Sequence, residues 1–172
     1  MSDNLLGVYS RAPLAVDRGE GAWLYDTDGN RWLDCVMGIA TDALGHAHPK
    51  LVAALEAQAK KLWHVSNIFR IPGQEALAKR LIDATFADVV FFGNSGSEAI
   101  EGALKTARRY HHVNGSPERV DVIGFAGSFH GRTYAAVNAS GNAAYLDGFG
   151  PRLPGYVQLP IDDEAGIAEA IA

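Results

Sequence analysis

The 172-residue sequence predicts an α/β fold with a small antiparallel sheet at its N-terminal end. Three observations carry that expectation. Short apolar runs separated by glycine-containing turns fill residues 14–36. From Gly73 onward, stretches with apolar residues every three or four positions alternate with short apolar runs, as expected of helices layered on a sheet. Apolar residues make up 48% of the chain and charged residues 20%, enough for a packed core and unlike a disordered segment.

The elements follow in order. Leu14-Ala15-Val16, Ala22 to Tyr25 and Arg31 to Val36 read as three strands. Gly19-Glu20-Gly21 parts the first two and Asp28-Gly29-Asn30 the last two, and both turns contain residues that tolerate positive φ. His48 to Leu62 reads as a helix with Pro49 in its first turn and Leu51, Val52, Leu55, Ala59 and Leu62 at helical spacing. Gly73 to Ala84 is a second helix, with Leu77, Leu81 and Ile82 on one face. Asp88 to Phe92 is expected to be a strand buried on both faces. Ser97 to His111 is helical, Val120 to Phe125 a strand, Arg132 to Ala139 a short helix, and Gly155 to Leu159 a further strand.

Asp162-Asp163-Glu164 reads as a helix start with acidic residues in the first turn. Ile167 and Ile171 share a face of that helix, and the sequence stops at Ala172 with no Gly, Asn or Pro stop signal, so the helix is expected to run on in a longer chain. Residues 1–62 are expected to form a segment of a small domain with its linking helix, and residues 63–172 an incomplete large domain.

Composition limits the function. The net charge of -5 and a pI of about 5.6 argue against a nucleic-acid partner. Cys35 is the one cysteine, which rules out an internal disulfide and fits a reducing compartment. The first residues lack a basic and apolar leader pattern, and no run approaches the roughly 18 apolar residues of a membrane span. A cytoplasmic protein without membrane partners is expected. His46 and His48 have no third ligand nearby in sequence, so no metal is expected there. Trp23, Trp32 and Trp63 are expected to be packing residues.

Phe91-Phe92-Gly93-Asn94-Ser95-Gly96-Ser97-Glu98-Ala99 reads as strand, tight polar turn and helix. The first turn of a helix leaves backbone N–H groups without internal partners, and these favour an anion such as phosphate. Gly96 allows close backbone approach, and Ser95 and Ser97 add hydroxyls. Taken alone, the same four residues read first as a simple cap, in which Asn94 or Ser95 only closes the helix end, and the anion signal is weak in isolation. No Gly-Lys-Ser/Thr follows, so the turn is not a nucleotide P-loop.

Two further motifs stand in the chain: Leu44-Gly45-His46-Ala47-His48-Pro49, and Gly127-Ser128-Phe129-His130-Gly131-Arg132-Thr133. With Asn94 to Ala99 and Ala103-Leu104-Lys105-Thr106-Ala107-Arg108, they resemble the class III aminotransferases in sequence and order. Within that class the likeness is to the acetylornithine/succinyldiaminopimelate and ornithine aminotransferases, and it covers nearly the whole chain. The resemblance implies the N-terminal part of a fold-type I pyridoxal-phosphate-dependent transferase, with part of a mixed, mostly parallel large-domain sheet. By position it gives Gly96 and Ser97, with Ser95 adjoining, to the phosphate of pyridoxal 5'-phosphate. It gives Phe129 to one face of the cofactor ring and Arg132 to a substrate carboxylate. An aromatic face suits a flat conjugated ring, and a guanidinium fork pairs two-pronged with a carboxylate.

Two departures are visible: Asp42 stands where the family commonly has Asn, and Ser97 where Thr or Ala is commoner. The resemblance further implies transfer of an amino group from N-acetylornithine, ornithine or another ω-amino acid to 2-oxoglutarate, in a homodimer, in arginine biosynthesis. It also implies a Schiff-base lysine, which in the family lies well after the phosphate motif. Lys50, Lys60, Lys61, Lys79 and Lys105 occupy other positions, so no catalytic residue is assigned. The 172-residue chain is expected to be inactive by itself, and a non-catalytic cofactor- or partner-binding remnant is the contrasting alternative. Steady turnover of acetylornithine or ornithine with 2-oxoglutarate by the purified chain would overturn that expectation.

Overall fold

The structure, a computed structural model, describes residues 4–171. The chain divides into two compact units, Met1–Arg70 and Ile71–Ala172.

The first unit holds an antiparallel sheet of β1 (Val16–Glu20), β2 (Trp23–Asp26) and β3 (Arg31–Leu33), in that order. Strand β1 begins at Val16 and runs through Gly19-Glu20, so the expected turn moves on to Gly21, where φ is +55°. The β2–β3 turn is built by Asp26. Its carboxylate accepts from the backbone N–H groups of Asp28 (3.0 Å) and Asn30 (2.8 Å), the Asn30 side chain (3.1 Å) and the Trp32 indole (2.9 Å). Those donors hold the Asp26 carboxyl below its ordinary pKa, the Trp32 indole most of all.

His46 joins the sheet from later in the chain. Gly21 and His46 exchange backbone hydrogen bonds of 3.0 and 2.8 Å, and the His46 ring lies 2.8 Å from the Asp34 carboxylate. That carboxylate also accepts from Val36 and Met37 N–H, both at 2.9 Å. The next turn, α1 (Met37–Ala40), is left-handed: φ is +48° at Met37, +61° at Gly38, +58° at Ile39 and +62° at Ala40. L-residues disfavour that conformation by about 1–2 kcal/mol each. Asp34, hydrogen-bonded to the start of the turn and to His46, holds it in place. Helix α2 (Pro49–Ala59) follows with Pro49 in its first turn.

The second unit runs α3 (Pro72–Ala84), α4 (Gly96–Val113), β4 (Val122–Phe125), α5 (Tyr134–Ser140), α6 (Ala143–Leu146), β5 (Tyr156–Leu159) and α7 (Glu164–Ile171). β4 and β5 pair in parallel, Val122 opposite Tyr156 and Phe125 opposite Leu159. Helix α5 lies in the connection between them and carries the buried core, Ala136, Val137 and Ala139. Small residues are required there: a Cβ at Gly124 would run into the Ala139 carbonyl. Asn138 is buried and hydrogen-bonded through both ends of its side-chain amide and its backbone carbonyl. Its carbonyl oxygens accept from Leu153 N–H (2.8 Å, side chain) and Gln158 Nε2 (3.0 Å, backbone), and its amide donates to Tyr134 (2.7 Å). Arg108 ties α4 to the starts of both strands by donating to Val120 (2.8 Å) and Gly155 (3.4 Å).

Two further expectations fail. Asp88 to Phe92 forms no strand, and Val89 and Phe91 are 83% and 73% exposed. Among the described residues no strand lies beside it to supply hydrogen-bond partners, and an apolar run becomes a buried strand only when one does. Phe91 instead leans on α4 at Gly102, where a Cβ would meet its ring at 3.2 Å. Trp63 does not pack either. The residue is 88% exposed, and its indole N–H donates to the Ala59 carbonyl at 2.6 Å.

Candidate functional site

The N-terminus of α4 is closed by a reciprocal cap. Ser95 has extended backbone angles (φ -151°, ψ 161°), and its hydroxyl accepts from Glu98 N–H at 3.2 Å. The Glu98 carboxylate reaches back to accept from Asn94 N–H (2.6 Å), the Asn94 side chain (3.2 Å) and the Ser95 hydroxyl (3.2 Å). Ser-x-x-Glu is the pattern that makes such a box. The Asn94 side chain, then its N–H, are the main causes that hold the Glu98 carboxyl below its ordinary value of 4.5. The Ser95 hydroxyl is thus engaged as both donor and acceptor. The Gly96 and Ser97 N–H groups have no acceptor among the described residues, and the space a Gly96 side chain would fill is open to 4 Å.

The loop after β4 closes over this helix end. Gly127 (φ +81°) turns the chain, and Ser128 N–H donates back to Phe125 at 3.1 Å. Gly131 (φ +112°) is buried against Ser97, with no room for a side chain: a Cβ there would stand 2.8 Å from Ser97 Cβ. The next N–H, of Arg132, donates to the Ser97 hydroxyl at 3.3 Å. Residues 35 apart in sequence are therefore joined, and the join lies beyond the carboxyl end of a parallel strand, where open α/β sheets bind ligands.

The result is an open hollow of about 290 Å³ lined by Ser95, Gly96, Ser97, Phe129 and Arg132, together with Ile100, His130 and Gly131. All five residues singled out in the sequence meet there. Its donor set is the helix N–H pair, the Ser97 hydroxyl and the Arg132 guanidinium, to which no acceptor is offered among the described residues. Two anionic groups, one at each end, match that chemistry. Ser128 Oγ and Thr133 Oγ1, at the two ends of the loop, are buried without a hydrogen-bond partner. A larger hollow of about 860 Å³ runs along α4 between Phe91 and Tyr110, but it is a mostly apolar helix flank without converging donors.

One residue here escaped the sequence. Tyr145, on α6, lies under Arg132 with the guanidinium carbon 3.8 Å from its ring centroid, and meets Phe129 edge-on at 6.3 Å and 83°. No motif contains Tyr145, and α6 is too short to leave a periodic signal. Asp42 belongs to the first unit, where its carboxylate stands 3.6 Å from His46 Nδ1. Among the described residues no group of three or more His, Cys, Asp or Glu is placed to hold a metal, and no helix is long and apolar enough to cross a membrane.

Comparison with known proteins agrees with this geometry. The sequence profile of the class III aminotransferases matches residues 8–170. Acetylornithine aminotransferase 2 of Caulobacter vibrioides is 68% identical over 169 residues, covering 98% of this chain and 42% of its own. The crystal structure of ornithine aminotransferase from Toxoplasma gondii superposes with a TM-score of 0.90 at 29% identity, over 98% of this chain and 40% of that one. A second structure of that enzyme has partial occupancy of pyridoxal phosphate at its active site. N-acetylornithine aminotransferase from Stenotrophomonas maltophilia gives a TM-score of 0.76 at 36% identity, over 94% and 39%. The chain thus spans about 42% of the length of the curated relatives it matches. With a family profile matched along almost its full length, and two of the motifs quoted above folded into one hollow, this chain belongs to the class III aminotransferases.

Proposed function

We propose that this chain forms part of the active site of a pyridoxal-phosphate-dependent aminotransferase that takes the amino group of N-acetylornithine and gives it to 2-oxoglutarate. The observation that supports the proposal is the hollow where the open N–H pair of α4, the Phe129 ring and the Arg132 fork meet. The donor is suggested by the relative 68% identical to it.

In this reading the Gly96 and Ser97 N–H groups and the Ser97 hydroxyl bind the cofactor's phosphate, aided by the positive end of the α4 dipole. Ser95 contributes through the cap, which keeps those groups aimed outward. Phe129 covers one face of the ring, and Arg132 binds a substrate carboxylate. When bound, the cofactor supplies an aldehyde to receive the amino group and a ring that withdraws electrons from the substrate carbon. No lysine lines the hollow among the described residues, so the lysine that moves the proton comes from elsewhere in an enzyme of the relatives' length. We assign residues 1–62 to its small domain and residues 63–172 to its large cofactor-binding domain. The enzyme acts as a homodimer, and it acts in the cytoplasm, a reducing compartment that a free Cys35 thiol fits.

Absorbance titration of the enzyme with pyridoxal phosphate, followed by transfer assays with N-acetylornithine, ornithine and 4-aminobutyrate, tests this. Ornithine is the second candidate, since the superposition with an ornithine aminotransferase reaches 0.90. Arg132→Leu should raise KM for carboxylate substrates about ten- to hundredfold, the loss of a charged hydrogen-bonded pair worth about 1.5–3 kcal/mol. Absence of amino transfer from all three donors would sink the assignment, and an unchanged KM in the Arg132 variant would remove that residue from it.

A further inference from the structure

We propose that Tyr145 is the positioning residue that aims the Arg132 guanidinium. This rests on the reading of Arg132 as the carboxylate clamp. The guanidinium carbon lies 3.8 Å from the Tyr145 ring centroid, a distance reached only over the face of the ring. A guanidinium carries its five N–H donors in its plane, so contact through the face leaves all five free. None of them meets an acceptor among the described residues.

That choice of partner matters. A long side chain with an unanchored head loses rotamer entropy when a ligand orders it. An acidic partner would anchor it, but by taking the N–H groups that the substrate carboxylate needs. An aromatic face anchors it and takes none. Arg132 is fixed at its other end as well, where its backbone N–H donates to Ser97 on α4. The same Tyr145 ring meets Phe129 edge-on at 6.3 Å and 83°. The 3.8 Å face contact makes Arg132, and not Phe129, the group that the ring holds. α6 is itself held by its Asn142 cap, which accepts from Ala144 N–H at 3.0 Å.

The test uses the cofactor-loaded enzyme and glutarate, an unreactive dicarboxylate, with calorimetry for binding and steady-state kinetics for KM and kcat. Tyr145→Phe keeps the ring and should bind glutarate within about twofold of the parent. Tyr145→Leu should weaken glutarate about five- to thirtyfold, the range of a desolvated cation–π contact, and raise KM for the dicarboxylate substrate with little change in kcat. Cofactor affinity and melting temperature should stay near those of the parent. Tyr145→Met, which fills the space without a π face, should show the same loss and serves if the leucine variant does not fold.

Unchanged glutarate affinity in a folded leucine or methionine variant would overturn the proposal. So would a phenylalanine variant as weak as leucine, which would put the hydroxyl and not the ring in charge. Loss of cofactor affinity alongside glutarate would show a merely structural role and overturn it too. Arg132→Leu is run in parallel: if it binds glutarate like the parent, the clamp reading itself fails, whatever Tyr145 does.

Discussion

Gly131→Ala tests whether the loop after β4 and the N-terminus of α4 form one rigid site. A Cβ at Gly131 would stand 2.8 Å from Ser97 Cβ and 3.0 Å from Ser97 Cα. Ordinary carbon contacts begin near 3.5 Å, so the loop and helix must separate by roughly half an ångström or more. Overpacking of that kind costs about 1–3 kcal/mol. The residue also sits at φ +112°, where an L side chain adds about 1 kcal/mol. The sum is about 2–4 kcal/mol. Gly127→Ala isolates the backbone part, since Gly127 has φ +81° but nothing within 4 Å of a Cβ, and should cost about 1 kcal/mol.

Urea unfolding of both variants in the enzyme without added cofactor reads the difference, about 1–3 kcal/mol. The shift should also break the 3.3 Å Arg132–Ser97 hydrogen bond, and titration should show pyridoxal phosphate bound at least about tenfold more weakly by the Gly131 variant. Adding Ser97→Gly removes the Cβ at 2.8 Å, though not the Cα at 3.0 Å, and should recover about 1 kcal/mol as a coupling energy. Equal stabilities for the two alanine variants, or an undiminished cofactor affinity in Gly131→Ala, would refute the packing argument.

Ser95→Ala should lower stability by about 1 kcal/mol in urea unfolding, through loss of the cap on Glu98 N–H, and Ser95→Thr, which keeps the hydroxyl that also donates to the Glu98 carboxylate, should restore most of it. The Glu98 carboxyl is held below its ordinary value of 4.5, so its stabilisation is present above that pH and is lost as the pH falls below it. Glu98→Gln should therefore flatten the acid side of the melting-temperature profile below about pH 4.5, and an unaltered profile would exclude the carboxylate as its source. Asp34 is lowered first by Met37 N–H and then by the His46 ring, with the same sign below its ordinary value of 3.8. Asp34→Asn should speed hydrogen exchange at Val36 and Met37, whose N–H groups it holds, while exchange in β1 and β2 stays slow.

The elements legible in the sequence are those whose causes lie within a few residues. Asp28-Gly29 marks the hairpin because glycine takes positive φ there and Asp26 collects donors at most six residues away. Ser95 and Glu98 spell a capping box in their spacing alone. A cap at Asn94 to Ser97 does not by itself exclude an anion cup there. Ser95 and Glu98 form the cap, and the N–H groups of Gly96 and Ser97 stay open beyond it. The left-handed turn at Met37–Ala40 left no trace, because three of its four residues are poor candidates for positive φ.

The sequence by itself determined the antiparallel hairpins, the helices that carry their own caps and periodicity, and the family, whose motifs are contiguous strings. Tertiary structure alone decided that Gly131 packs on Ser97, that Arg132 rests on Tyr145, and that Asp88 to Phe92 forms no strand. The physical reason is the range of the interactions. A capping hydroxyl or a glycine φ acts within one turn of chain, so residue type and spacing fix it. A ring beneath a guanidinium 13 positions away, or a strand's partner, depends on how the intervening chain closes, and neither composition nor periodicity records that.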